Sequence, residues 1–280
     1  MPTARSEMPA VELDGKIYVP GGFGGGHVLE AYDPATDIWI ELARLPEGRH
    51  HLMAASLRGR LYLFGGGAGL SFDSTDRAWV YDPAADSWTD LPPMPEPRFA
   101  GAAVALNNAI YILGGTGGSG ATLVFHVDEN RWSQLSAPEA PREHTAGVAF
   151  MDEIWSIAGR WQSVGELARV DILNPRSGEW RSASPLSVPR GGFAAAVVEG
   201  LIVVAGGEVL TTDRHAVEAV EIFDPTVGAW AAGPDLPYAV HGLGAAAWQG
   251  SFYLMGGSDR AGGIENVGRV QVLDLGEAFP

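Results

Sequence analysis

A pair of adjacent glycines recurs along this chain at a nearly constant interval. The doublets are Gly21-Gly22, Gly65-Gly66, Gly114-Gly115, Gly206-Gly207 and Gly256-Gly257, and Ala158-Gly159 fills the one gap in the series. Five tryptophans keep the same beat at Trp39, Trp88, Trp132, Trp180 and Trp230. A third marker lies between each doublet and its tryptophan: Tyr32-Asp33-Pro34, Tyr81-Asp82-Pro83, Leu173-Asn174-Pro175 and Phe223-Asp224-Pro225, decaying to His126-Val127-Asp128 in the third unit. Three interlocked markers at one period define a repeat architecture, in which each unit is one supersecondary element that buries its faces against its neighbours.

Each unit reads as four strands. An alanine- and valine-rich run such as Ala100 to Leu106 comes first, and a two-residue polar turn follows. These turns are Asp14-Gly15, Arg58-Gly59, Asn107-Asn108, Asp152-Glu153, Glu199-Gly200 and Gln249-Gly250, several of them suited to the positive φ of a tight hairpin. The second strand ends in the glycine doublet. The third stops at the Asp-Pro step, because proline cannot continue a central ladder. The tryptophan strand is fourth, and no segment sustains a helical apolar period.

The doublet, the Tyr-Asp-Pro step and the tryptophan together resemble the kelch repeat over essentially the whole chain. The resemblance implies an all-β fold, a six-bladed kelch-type β-propeller in one domain. The repeats run approximately over 5–48, 49–97, 98–141, 142–189, 190–239 and 240–280. Only five tryptophan strands exist, so the sixth blade is expected to lack its fourth strand. Met1-Pro2-Thr3-Ala4-Arg5 is similar to Met94-Pro95-Glu96-Pro97-Arg98, which follows a tryptophan strand. On that likeness Met1 reads as an internal methionine of a longer frame, the alternative being a three-stranded blade. No signal peptide is visible at Met1, and the compartment is left open, periplasmic or secreted included.

Composition narrows the chemistry. The 280 residues include no cysteine, which removes disulfides, thiolate metal sites and cysteine nucleophiles. A formal net charge of −16 argues against nucleic acid as a partner. No apolar run approaches the ~20 residues of a spanning helix, so membrane insertion is not expected. The glycine-rich stretches lack the Lys-Ser/Thr of a phosphate loop, and no cofactor is implied.

Alternating strands bring the loop before each first strand and the loop after each doublet to the same face. Arg5, Arg49, Arg98, Arg142 and Arg190 fall in the first set with His50, His51, His144 and His241; Arg160, Arg214 and Arg260 fall in the second. Guanidinium groups gathered at one entrance of an acidic protein suit an anionic ligand, because their planar fork matches carboxylate. The expected binding residues are Arg49, His51, Arg98, Arg142, His144, Arg160, Arg190 and His241. The expected ligand is a small anion, an acidic glycan or an acidic peptide. The kelch resemblance implies a competing role for the Pro-Arg steps, which bridge neighbouring blades by hydrogen bonds. A metal site is not expected, since the histidines lie on different repeats with no carboxylate evident beside them. The oligomeric state is left open.

Fold does not fix function, so the leading reading is a non-catalytic binding module. Copper radical oxidases similar to galactose oxidase are excluded by the missing cysteine. The second reading rests on one loop: Gly207-Glu208 followed by Arg214 resembles the bacterial N-acetylneuraminate epimerase family. That resemblance implies a sugar mutarotase, an isomerase with Glu208 as base and Arg214 or Arg190 holding the substrate carboxylate.

Overall fold

Every repeat folds into one main antiparallel sheet whose strands follow chain order from the axis outward, and the fifth adds a two-stranded ribbon of Glu208–Val209 and His215–Ala216. In the computed structural model, which describes residues 1–275, five sheets have four strands and the last has three. Blade 1 consists of Val11–Leu13, Lys16–Pro20, Leu29–Asp33 and Ile38–Glu41. Blade 6 consists of Gly244–Trp248, Ser251–Met255 and Val270–Asp274, the expected short blade among the described residues. No helix occurs among the described residues.

The core is divided among the seams. Six separate apolar clusters form, one between each adjacent pair of blades. Leu13, Tyr18 and Leu29 of blade 1 meet Leu61, Leu63 and Trp79 of blade 2, and Ile17 and Val19 meet Ala246 and Met255 where blade 6 closes on blade 1. A single blade exposes both faces, so the sheets are stable only as a ring. The N-terminal segment ties that ring shut: Gly257 N donates to Arg5 O at 2.8 Å and Ser6 Oγ to Asn266 Oδ1 at 2.6 Å.

The local signals act as the sequence implies, with small shifts. Both residues of the inner hairpin turn have positive φ in five blades; in blade 4 they are Met151 and Asp152, one residue earlier than the expected pair. Asp33, Asp82, Asn174 and Asp224 accept a backbone N–H two residues on, closing the third turn. The tryptophans sit on outermost strands and are half-buried. Each of four reaches back across a seam: the indoles of Trp88, Trp132, Trp180 and Trp230 donate to the carbonyls of Ala43, Pro92, Ser136 and Ser184.

The glycine doublets serve the seams. The second glycine of every doublet donates its N–H to the next blade's entry loop, at Arg49, Arg98, Arg142, Arg190, Val240 and, closing the circle, Arg5. A Cβ at Gly114 would lie 2.7 Å from the carbonyl oxygen of Arg142, at a φ of +59°. Left-handed backbone and close approach both demand glycine there.

First strands line the axis. Their small residues, among them Ala54, Ala103, Ala195 and Ala245, leave a central cavity of about 160 Å³. Its upper rim is a circle of six residues in equivalent positions: Glu7, His51, Ala100, His144, Gly192 and Gly242. Each donates its backbone N–H to the carbonyl of the preceding member, and Glu7 closes the loop on Gly242 at 2.6 Å.

Candidate functional site

Two registers built into every repeat set up the mouth above this rim. The entry loop places one residue two positions before the rim, where the arginines stand, and one residue immediately before it. Short backbone bridges then hold the entry loop against the residues after the doublet, as in Glu143 with Arg160, Gly191 with Glu208 and His241 with Ser258.

The arginine register does not line the mouth, which corrects the expectation for Arg98, Arg142 and Arg190. These three side chains, with Arg5, are 0–1% exposed. Arg190 Nη1 donates to the carbonyls of Gly206 and Ala219 at 3.0 and 2.7 Å, and its Nη2 meets Glu221 at 2.8 Å. Arg5 pairs in the same way with Glu30 at 2.7 Å, and Arg142 with Asp171. The acid always stands three residues before the last residue of the third strand, as Glu30 before Asp33, Asp171 before Asn174 and Glu221 before Asp224. Where that position holds Trp79 or Leu123, the arginine turns aside: Arg49 pairs with Glu47, and Arg98 with Glu96 at 2.8 Å. Buried guanidinium requires such compensation, and the carbonyls at strand ends provide the rest. Arg214 is exposed, with Nε donating to Ala261 O at 3.1 Å and its guanidinium packed on Gly262, and it makes no direct contact with Glu208 among the described hydrogen bonds and ion pairs.

His51, His144, His241, Arg160 and Glu208 are brought together, and two acids that the sequence reading passed over join them. Glu7 presents Oε2 to His51 Nε2 at 3.3 Å and to His144 Nε2 at 3.8 Å; its Oε1 lies 3.5 Å from His241 Nδ1. The two Nε2 atoms are 3.1 Å apart. Glu143 Oε2 contacts His144 Nδ1, and its Oε1 accepts from Arg160 Nε at 2.8 Å. Arg160 also pairs with Glu208, which accepts from the N–H of Gly262 at 2.6 Å and stands 3.4 Å from His241 Nδ1. Glu7 was legible in one way: aligned on the entry-loop arginines, it occupies the position of His51 and His144.

Burial and charge set the protonation of this cluster. Burial opposes ionisation of Glu7, but the imidazoles of His51, His241 and His144 around it hold its carboxyl below the usual range. Burial likewise opposes ionisation of Glu143, and the contact with His144 and the charge of Arg160 bring it down to about 2. Burial lowers His51 to about 3, so it is neutral at neutral pH. His241 is also desolvated, yet Glu7 and Glu208 raise it. Glu7 and Glu143 are therefore ionised, and the mouth sets three acidic side chains against one guanidinium, the reverse of an arginine-rich funnel.

The rim is also conformationally costly. Glu7, His51, Ala100 and His144 have φ of 52°, 54°, 56° and 49°, where the equivalent Gly192 and Gly242 sit without penalty. Left-handed backbone costs a residue with a Cβ roughly 1–2 kcal/mol. Three of these positions hold polar side chains, Glu7, His51 and His144, that face one another across the axis. One wall of the mouth is aromatic: Phe23 stacks on His50 at 4.1 Å, and Phe72 lies 6.0 Å from both His51 and Phe99. Phe72 is 62% exposed.

The kelch motif pattern matches residues 4–46, 48–95 and 189–237. The chain belongs to the kelch family. Among curated kelch proteins, it is 30% identical over 220 residues to Kelch-like protein terF of Aspergillus terreus, covering 74% of this chain and 39% of that protein. It is 25% identical over 186 residues to Beta-scruin of Limulus polyphemus, covering 66% of this chain and 16% of that one. This kelch chain thus spans well under two thirds of the length of either relative. The solved structure of YjhT superposes with a TM-score of 0.84 at 19% identity, covering 99% of this chain and 97% of the other. At that identity the likeness is one of fold.

Proposed function

We propose that this kelch propeller is a binding module for a small polyhydroxylated molecule, a sugar or its acidic derivative, seated at the Glu7–His51–His144–Glu208 mouth. The observation that carries this reading is Phe72, a large apolar ring left open to solvent beside a cluster of buried polar groups. A sugar has an apolar C–H face to lay on such a ring, and hydroxyls to donate to the Glu7 and Glu208 carboxylates. Arg160 is the guanidinium within reach of an acidic substituent, in place of the ring of arginines. A small concave site with a few convergent polar groups is the usual form of such a pocket.

Thermal shift against neutral hexoses, uronic acids, sialic acid and acidic peptides tests it. A ligand at 100-fold its Kd adds about 2.7 kcal/mol of stability. Phe72→Ala and Glu208→Gln are expected to remove the shift given by the unmutated protein; a panel in which nothing shifts, or in which both variants respond as before, counts against the reading.

A mutarotase is the second reading, favoured by one observation: Glu208 faces His241, whose proton affinity is raised, across 3.4 Å. In this version His241 takes the acid role and Arg160 the anchoring role expected from the sequence for Arg214 or Arg190. Exchange NMR of sialic acid anomers, with Glu208→Gln as control, decides it. No acceleration by the unmutated protein ends the enzyme reading.

A further inference from the structure

We infer that Glu7, His51 and His144 form a binding site for a first-row divalent cation of the Zn²⁺ class, on the propeller axis. The inference uses the same mouth as the ligand reading, but it stands or falls without any organic ligand.

Geometry is the first support. The three donor atoms, Oε2 of Glu7 and Nε2 of the two histidines, are separated by 3.1, 3.3 and 3.8 Å. Bonds of ~2.0–2.1 Å to a tetrahedral zinc ion put neighbouring ligand atoms roughly 3.3–3.4 Å apart, so one ion fits between all three. Two imidazoles and a carboxylate are the donor set of open sites for zinc and its neighbours, whereas calcium and magnesium prefer oxygen alone. Three protein ligands leave positions free for water or for a bound molecule.

The hydrogen-bond relay is the second and independent support. His144 Nδ1 faces the Glu143 carboxylate, so Nδ1 carries the proton and Nε2 a lone pair. His50 Nε2 lies 3.1 Å from the Ser71 carbonyl and must donate to it, leaving His50 Nδ1 as an acceptor. His51 Nδ1, 2.6 Å from that acceptor, is then the donor, and His51 Nε2 also carries a lone pair. Two ring lone pairs and a carboxylate oxygen therefore converge with no proton shared among the three, the N–H that Arg160 Nη2 directs at His144 Nε2 coming from outside the set. A cation resolves that arrangement. Outer partners that fix the ring tautomer in this way, a carboxylate on one histidine and a relay to a carbonyl on the other, are typical of metal-binding imidazoles.

Arg160 Nη2 touches His144 Nε2 at 3.0 Å and is the one competing donor among the described residues. It retains Glu143 and Glu208 as partners when that contact opens. A bound divalent ion would also offset the negative charge excess of the mouth, and so ease the approach of an acidic substituent on the ligand.

The test is calorimetric titration of tag-free protein, stripped with a chelator and dialysed, with ZnCl₂, alongside visible absorption with CoCl₂. We expect one ion per chain and the intense visible bands of a low-coordinate cobalt–imidazole site in the unmutated protein. Glu7→Gln and Glu143→Gln should each weaken binding by about 10–100-fold, the range for losing a supporting partner or more. His51→Gln/His144→Gln should abolish it, and His126→Gln, on the third strand of blade 3, should leave it unchanged. Circular dichroism checks each variant's fold, and the cobalt spectrum of the unmutated protein needs no variant. The proposal is overturned if the folded, stripped protein binds neither ion stoichiometrically, if its cobalt complex lacks the imidazole bands, or if the double histidine variant binds as before.

Discussion

Arg190 and Glu221 meet at 2.8 Å in the interior of blade 5, with side-chain exposures of 0% and 4%. The pair recurs as Arg5–Glu30 and Arg142–Asp171, and blade 6 carries the neutral version: Val240 stands where the arginine would, and Gln271 where the acid would. Gln271 exchanges hydrogen bonds with the backbone of Tyr238 at 3.1 Å in each direction. Removing one partner of a buried pair leaves the other charge uncompensated, which costs about 3–5 kcal/mol. Arg190→Val is expected to lose that much in a urea melt. Arg190→Val/Glu221→Gln, which copies blade 6, is expected to recover at least half. Equal losses in the single and double variants would show that the pair is not the source of the effect.

The first position of the glycine doublet offers a comparison within one chain. Gly114 has φ +59° with the Arg142 carbonyl 2.7 Å from any Cβ, whereas blade 4 carries Ala158 there at φ 44°. Gly114→Ala should destabilise by at least the ~1–2 kcal/mol of left-handed backbone, and Ala158→Gly should be neutral or gain up to about 1 kcal/mol. Thermal melts of both variants check the sign; a gain from Gly114→Ala would refute the close-approach argument.

Much of this was legible in the sequence. The doublets, Asp-Pro turns and tryptophans encode local backbone conformations, so each signals its own strand end wherever it falls. The arginines misled because a Pro-Arg step fixes where the side chain starts and not which way it turns. That direction depends on residues 25–31 positions later, Glu30, Asp171 and Glu221, whose role emerges only when the third strand packs beside the entry loop. The carboxylates of the mouth were missed for a related reason. Glu7 precedes the first strand and carries no marker of its own, and Glu143 becomes meaningful once the bridge to Arg160 is formed.

Alkaline pH probes the outer turns. Burial and the hydrogen bond to Asp37 push Tyr32 up to about 12, and burial with Asp86 raises Tyr81 as well. A folded-state pKa above the unfolded value of ~10 stabilises the protonated protein. That contribution is complete below about pH 10 and is lost progressively as pH rises towards 12. Urea midpoints should hold up to that point and then fall, and Tyr32→Phe/Tyr81→Phe should flatten the fall. A decline that is equally steep in the double variant would assign it to other groups.

If the polar rim exists for a ligand and not for the fold, one variant shows it without knowledge of that ligand. Glu7→Gly/His51→Gly/His144→Gly gives blades 1, 2 and 4 the residue that blades 5 and 6 already carry at Gly192 and Gly242, and it leaves the Arg160–Glu143 and Arg160–Glu208 pairs in place. Relief of three left-handed side-chain positions should offset the lost contacts, as is common where a site is kept at the expense of stability. We expect an unfolding midpoint equal to or above that of the unmutated protein, with ligand and cation responses gone. A midpoint lowered by the equivalent of several kcal/mol would contradict it, and would make the cluster a structural plug of the channel.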